Sequence, residues 1–307
     1  MSYADKVFVS MCEDILETGC TNENQSIRAK WEDGEPAYTI KKFGIINKYD
    51  LRKEFPAITL RKTALKSCMD EILWIFQKKS NNIKDLNSNI WNQWADENGE
   101  IGEAYGAQIR KEYIHHTHYI SSTEKFKSFY NNKEENVILP KPVNYIMDQT
   151  DGVLYDLKHD PFSRRIMTSL WNIEDLHKMN LYPCCWNCTF NVTTDNENNK
   201  VLNMILNQRS NDILTANNWN VSQYAILLMM FAQVSDMIPG ELVHVISDAH
   251  IYLRHIPIIE ELIKREQYPA PKVYLNPDIK DFYKFTTDDL IVENYKHGSQ
   301  VKFEVAI

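Results

Sequence analysis

Leu181-Tyr-Pro-Cys-Cys-Trp-Asn-Cys-Thr-Phe-Asn-Val-Thr-Thr-Asp-Asn-Glu-Asn-Asn-Lys-Val-Leu-Asn-Met-Ile-Leu-Asn-Gln-Arg-Ser-Asn-Asp212 is the stretch on which the fold turns. Residues 188–193 and 201–207 alternate or run apolar and flank the turn-rich segment 195–200, which predicts a β-hairpin. The chain reaches the first strand through Pro183 and Cys184 and leaves the second through Arg209 and Ser210. A thiol at the entrance of one strand, with an arginine and a serine at the exit of the next, suits nucleophilic attack on an anionic substrate. The arginine binds a phosphate, and its field favours thiolate over thiol. Taken alone, a buried cysteine after proline is more often inert packing.

Working outward, residues 62–79 carry apolar side chains at helical spacing and end at Ser80-Asn-Asn. Residues 222–238 predict a strongly apolar helix stopped by Pro239-Gly240. Residues 242–246 predict a strand leading into Ser247-Asp-Ala-His-Ile-Tyr252, and 256–266 a further helix. Strands and helices mix without strict βαβ alternation, and there is no Gly-rich phosphate loop, dinucleotide fingerprint or internal repeat. The expectation is an α/β (α+β) fold: one domain spanning 1–307 around a mixed, twisted sheet covered by helices. Residues 112–145, polar and aromatic without clear period, read as an insertion into that domain.

The chain of 307 residues, 43% apolar and 25% charged, has ordinary globular composition and enough length for an ample core. Its formal charge of -8 argues against a general nucleic-acid binder but leaves room for a nucleotide held by a few converging arginines. No apolar run approaches the ~20 residues of a membrane span. The polar start, Met1-Ser-Tyr-Ala-Asp-Lys6, is unlike a secretory signal, so a cytoplasmic protein with its six cysteines reduced is expected. Cys184, Cys185 and Cys188 invite a zinc reading, but adjacent cysteines are not the usual ligand pair and no second pair follows, so no metal is expected. His115, His116 and His118 are expected in a solvated loop.

Four further motifs join the opening stretch. Glu71-Ile-Leu-Trp-Ile-Phe76, Ile90-Trp-Asn-Gln-Trp-Ala-Asp-Glu-Asn-Gly-Glu-Ile-Gly-Glu-Ala-Tyr-Gly106, Asp160-Pro-Phe-Ser-Arg-Arg-Ile166 and Ser247-Asp-Ala-His-Ile-Tyr252 follow one another in order, and the chain ends Val305-Ala-Ile307. With these the chain resembles the thymidylate synthases over about residues 5–110 and 146–307. The acidic, folate-using type of some low-GC bacteria and their phages is the variant it looks most like.

The resemblance implies a homodimer formed through the sheet face, with dUMP as substrate and 5,10-methylenetetrahydrofolate as co-substrate. It makes Cys184 the nucleophile that adds to uracil C6 and so renders C5 nucleophilic. Arg28, Arg209 and Ser210 would bind the phosphate, joined by Arg164 and Arg165 from the neighbouring subunit, each guanidinium offering paired charge-assisted donors. Asn220 would hold the uracil N3 and O4 edge, Gln208 would support the nucleotide, and His250 and Tyr252 would bind the deoxyribose hydroxyl. Glu71 would organise waters for proton transfer, and Tyr105 would assist removal of the C5 proton. Ile90 and Trp91 would pack on the folate, Asp212 would contact its ring, and Ala306 in the tail would help close the site.

Two positions depart from the family pattern. Cys185 replaces a histidine that helps a water network near uracil O4, a change expected to tune the rate. The segment 213–220 replaces the usual Phe-Leu-Gly-Leu-Pro-Phe-Asn, with Ala216 at the glycine position of the folate wall. The runner-up reading is a dUMP 5-hydroxymethylase of the same fold, in which water rather than hydride captures the exocyclic methylene. Outside enzymes, a non-catalytic nucleotide- or RNA-binding protein is opposed by the acidic charge and by the intact Cys184, Glu71 and Asn220.

Overall fold

The computed structural model describes residues 1–117, 126–127, 134–135 and 143–306. Among these, seven strands form one sheet: β1 (Cys20–Thr21), β2 (Thr39–Asp50), β3 (Met167–Ser169), β4 (Cys185–Thr194), β5 (Lys200–Gln208), β6 (Asn211–Asp212) and β7 (Ile238–Tyr252). The order is β1-β2-β7-β5-β4-β3, with β6 alongside β7. The β5–β7 and β6–β7 pairs are parallel and the others antiparallel, so the sheet is mixed, as the sequence predicts. The hairpin forms with its turn at 195–199, where Asp195 Oδ1 accepts the N–H groups of Glu197 and Asn199.

Register separates the two faces of the sheet. Phe190, Met204, Leu242 and Tyr49 lie opposite one another across four strands, and all four are buried. Helix α4 (Asn217–Val234) covers this face, with Phe231 5.3 Å from Phe190 between ring centres. Of the helices before it, α1 is Tyr3–Thr18, α2 Leu65–Ile72 and α3 Gln149–His159. Helix α2 continues into a wider turn, Leu73–Gln77, whose Phe76 meets Tyr224 of α4 edge-on. Because α4 is sandwiched between the sheet and α2, it is apolar nearly all round. The other sheet face carries the row Met167, Thr189, Ile205, Val243 and Lys48, beside Asn207, Val245 and Ile46. Here Met167 is 50% exposed and Ile46 59%, an apolar face open in the single chain.

Three expectations are corrected. Helix α4 ends at Val234, where Asp236 takes a left-handed φ of 54° and the Met237 N–H returns to the Ala232 carbonyl. Pro239 and Gly240 therefore lie inside β7, at a register shift against β5. Gly240 is needed there because a Cβ would sit 2.3 Å from Asn203 Oδ1. The last helix, α5 (Ile256–Leu262), stops before 266 in tighter turns closed by Lys264 and Arg265 N–H groups. Finally, His115 is not in a solvated loop. Tyr113–Thr117 pairs antiparallel with Val143–Met147, and His115 Nε2 lies 2.7 Å from Asp156 Oδ1. His118, Ile307 and most of the 112–145 insertion lie outside the described residues. Among the described residues no helix is long and apolar enough to cross a membrane.

Candidate active site

The hairpin register sets Cys185 opposite Gln208, which brings Cys184 against Arg209. Arg209 donates its backbone N–H to the Cys184 carbonyl at 2.9 Å, and its side chain holds the incoming segment: Nε donates to Pro183 O at 3.0 Å and Nη2 to Tyr182 O at 2.8 Å. The same Nη2 is 3.7 Å from Cys184 Sγ, and the guanidinium carbon lies 5.9 Å from the centre of the Trp171 ring. Burial pushes the Cys184 thiol up, while Arg209 and then Arg28 pull it back towards thiolate. Cys185, by contrast, is fully buried, and its thiol is pushed far up by burial and then by the neighbouring Cys184 and Cys188, with Tyr224 beside it.

The Cys184 N–H donates to the phenolic oxygen of Tyr105 at 3.2 Å, leaving the phenol's own proton for another acceptor. Tyr105 has φ 48°, an uncommon backbone state for a non-glycine residue and one that gathers at functional sites. Its segment is tied to the chain leading towards Cys184 through Gly102, which pairs with Met179. Gly102 has φ 72°, and a Cβ there would lie 2.1 Å from the Lys178 carbonyl. The Tyr105 ring packs 4.8 Å from Trp91, whose indole N–H donates to Glu71 Oε1 at 3.0 Å. Glu71 is buried near the end of α2, and its other oxygen accepts the Trp219 indole N–H at 2.6 Å. Burial raises the Glu71 carboxyl, opposed by the indole donors of Trp219 and Trp91 and by the nearby Gln223 amide.

A third wall is a chain of amides. Gln208 Nε2 donates to Asn220 Oδ1 and to Ser210 O, both at 3.0 Å. Its Oε1 accepts from Asn211 Nδ2 at 2.8 Å and from His244 Nε2 at 2.7 Å. A carbonyl oxygen only accepts, so His244 carries its proton on Nε2. Burial pushes this imidazole down to about 3, so it stays neutral across the ordinary range. The folded His244 refuses a proton that the unfolded chain takes up below about 6.5. Its contribution to stability is therefore fully present above that pH and is lost as pH falls towards about 3. Urea unfolding of the wild type and of His244→Gln should accordingly show a stability gap that narrows as pH drops from 7 to 4. A gap independent of pH would contradict the neutral, buried imidazole.

Asp212 and the end of β7 form the fourth wall. Asp212 Oδ1 accepts the N–H groups of Leu214 and Thr215, and Oδ2 accepts the Thr215 hydroxyl at 2.6 Å, so the carboxylate is fixed by its own turn. Asp212 pairs with His250 across β6 and β7, and His250 Nδ1 is 2.9 Å from Asp248 Oδ1. The His250 ring packs edge-on against Tyr252, whose phenol is pushed up to about 12 by burial, then by Asp212, against the opposing charge of Arg28. Cys184 and Asp248 also act on that phenol, which places Arg28, Asp212, Tyr252 and the thiol around one region.

The C-terminal tail is anchored beside this wall. His255 lies 4.0 Å from Asp212 Oδ1, and its Nε2 meets the Glu304 carbonyl at 2.9 Å. Ala306, half-buried, follows two residues later. Ile90 is partly exposed at 39% beside buried Trp91. Arg164 and Arg165 stand apart: both are exposed on the turn entering β3 and neither is among the arginines acting on Cys184.

The sequence reading placed Trp219 only in the 213–219 wall and passed over Trp171, His244, Asn211 and Gln223. Trp171, Trp219, His244 and Gln223 act on partners distant in the chain, which no local spacing signals, and Asn211 acts on Gln208 three residues before it. Among the described residues no group of three or more His, Cys, Asp or Glu could hold a metal ion.

A half-buried thiol in an arginine field, with a pinned carboxylate, an ordered amide chain and a phenol near it, is a set of groups suited to thiol-dependent covalent catalysis. Comparison with known proteins carries the assignment further. The family model described as thymidylate synthase matches residues 6–307. Thymidylate synthases of Bacillus subtilis subsp. natto and of Bacillus phage phi3T are each 38% identical to this chain over the full length of both partners. That of Bacillus licheniformis is 39% identical over the same extent. Among solved structures, the thermostable thymidylate synthase A from Bacillus subtilis superposes with a TM-score of 0.84 at 37% identity, covering all of both chains. The chain belongs to the thymidylate synthase family, in the variant of Bacillus and its phages, and is a methyltransferase of that family.

Proposed function

We propose that the protein converts dUMP to dTMP with 5,10-methylenetetrahydrofolate, and that Cys184, Arg209 and Asn220 are its central binding and reacting groups. The observation that carries this reading is the meeting of Cys184 Sγ and the Arg209 guanidinium at 3.7 Å. Arg209 and Ser210, with Arg28, receive the phosphate, and the nucleotide then lies with its ring over the thiol. The thiolate adds to C6, and the electron pair moves through C5 to O4 as an enolate. Asn220 is suited to this edge. Its Oδ1 is oriented by Gln208, so the amide offers an acceptor for N3–H and a donor for O4.

The folate supplies the one-carbon unit and the hydride, and leaves as dihydrofolate. Chain groups fit it: Ile90 is accessible beside buried Trp91, and the fixed Asp212 carboxylate is an acceptor for ring N–H groups. Tyr105, whose oxygen accepts the Cys184 N–H, takes part in removing the C5 proton, and Glu71 orders the waters that relay it. Release of the thiolate from C6 restores the ring. His250 and Tyr252 bind the sugar hydroxyl. Ala216 supports the synthase over the hydroxymethylase: its φ of -109° is open to any residue, so the lost glycine does not distort that wall. Incubation with dUMP and methylenetetrahydrofolate, reading nucleotide mass and dihydrofolate together, tests the reading. Methylated nucleotide with equimolar dihydrofolate supports it; hydroxymethylated nucleotide with tetrahydrofolate makes the protein a hydroxymethylase instead.

We also infer that the protein works as a homodimer of one domain, 1–307, in the cytoplasm, with 112–145 as an insertion and no required nucleic acid. The open apolar sheet face and the exposed Arg164 and Arg165 support a partner there, whose phosphate site these arginines would complete. An Arg164→Ala/Arg165→Ala double variant and Cys184→Ser should each be nearly inactive alone. Unfolded and refolded together, they should recover about a quarter of wild-type activity, since half of randomly mixed dimers carry one intact site of two. No recovery would mean that the arginines act within their own chain.

A further inference from the structure

Trp219 stands on the first turn of α4, and its indole N–H meets Glu71 Oε2 at 2.6 Å while Trp91 meets Oε1 at 3.0 Å. An indole donates and never accepts, so two rings, one on each oxygen, recognise a carboxylate rather than a carboxylic acid. Glu71 is 5% exposed, and burial works against that form. The titratable neighbours that bear on it are Asp70 and Cys68 of its own helix, Tyr105, Cys185 of β4 and Tyr224 of α4, none of them cationic. Hydrogen bonds therefore do the work that an ion pair does elsewhere, and Trp219 supplies the shorter of the two indole bonds. It also ties three separate segments, α2, the 90–94 turns and the start of α4, to one carboxylate.

We propose that Trp219 is a positioning residue for Glu71, holding the carboxylate in one plane and in its ionised form for proton relay at the nucleotide. This rests on the reading of Glu71 as the organiser of that relay. Trp219→Phe keeps the ring and removes only the N–H. We expect kcat to fall about tenfold with KM for dUMP within about twofold, the weight of one hydrogen bond to a charged group. Losing a donor raises the carboxyl's pKa, so the acidic limb of the kcat profile moves to higher pH, by about one unit. In wild-type protein labelled with ¹⁵N-tryptophan, the Trp219 indole resonance should titrate with that same limb and become insensitive to pH in Glu71→Gln. An unchanged Trp219→Phe profile, or an indole resonance that does not titrate, overturns the proposal. Full turnover by Glu71→Gln would instead overturn the role of Glu71 itself, even where the resonance still reports the contact.

Discussion

Serine at position 184 should abolish turnover, by on the order of 10⁴-fold or more, whereas serine at 185 should retain most of it. The two thiols are neighbours in sequence and opposites in environment. Cys184 sits at the mouth of the hairpin with Arg209 3.7 Å from its sulfur, and it feels Arg28 as well. Burial raises its pKa, so the arginines matter: they recover a thiolate fraction that burial would otherwise suppress. A hydroxyl in the same place has a far higher pKa, which the arginine field does not bring near neutrality. Cys185 starts β4 with its side chain in the core against Tyr224. Serine there keeps a hydrogen-bonding group of similar size, at a stability cost of about 1–2 kcal/mol. Steady-state dTMP formation by the two variants checks this. Retained activity in Cys184→Ser with loss in Cys185→Ser would reverse the assignment of the nucleophile.

Arg209→Ala should lower kcat/KM for dUMP by about 10²–10⁴-fold, with KM sharply raised. This side chain does three things at once. It bonds the carbonyls of Tyr182 and Pro183, it lies beside the sulfur, and in the proposed reading it would present its charge to the phosphate. Two charge-assisted hydrogen bonds at about 1.5–3 kcal/mol each account for that range. The loss of the largest opposing charge should also raise the Cys184 thiol further, so the variant's activity, present only with the thiolate, should climb at higher pH than the wild type's. Arg209→Lys should restore little, because an ammonium on a flexible stem cannot reproduce a planar fork that reaches both carbonyls. A variant with normal KM and an unshifted pH profile would remove Arg209 from the phosphate site.

Much of this was legible because the decisive groups sit at the ends of one hairpin. Strand alternation, the Asp195 turn and the register they impose bring Cys184 to Arg209 without any other part of the chain. Gln208 and Asn220 were legible as site residues, but not the His244 bond that orients Gln208, since β7 joins β5 only through the sheet. The Glu71 clamp was hidden for the same reason: residues 71, 91 and 219 share no local pattern, and only packing of α2 against α4 unites them. The end of α4 was misjudged because Pro239-Gly240 looks like a stop. The chain in fact turns earlier at Asp236, and glycine serves close strand contact with Asn203. His115 was misread because a run of histidines looks solvated, whereas a strand turns alternate side chains inward, one of them towards Asp156.

The most direct test of the account is to acid-quench the protein during turnover with dUMP and methylenetetrahydrofolate and determine the mass of the peptide spanning residues 181–187. The expected result is a nucleotide adduct on the sulfur of Cys184, formed in wild type and absent from Cys184→Ser. Sustained dTMP formation with Cys184 unmodified, or an adduct carried by Cys185, would contradict it.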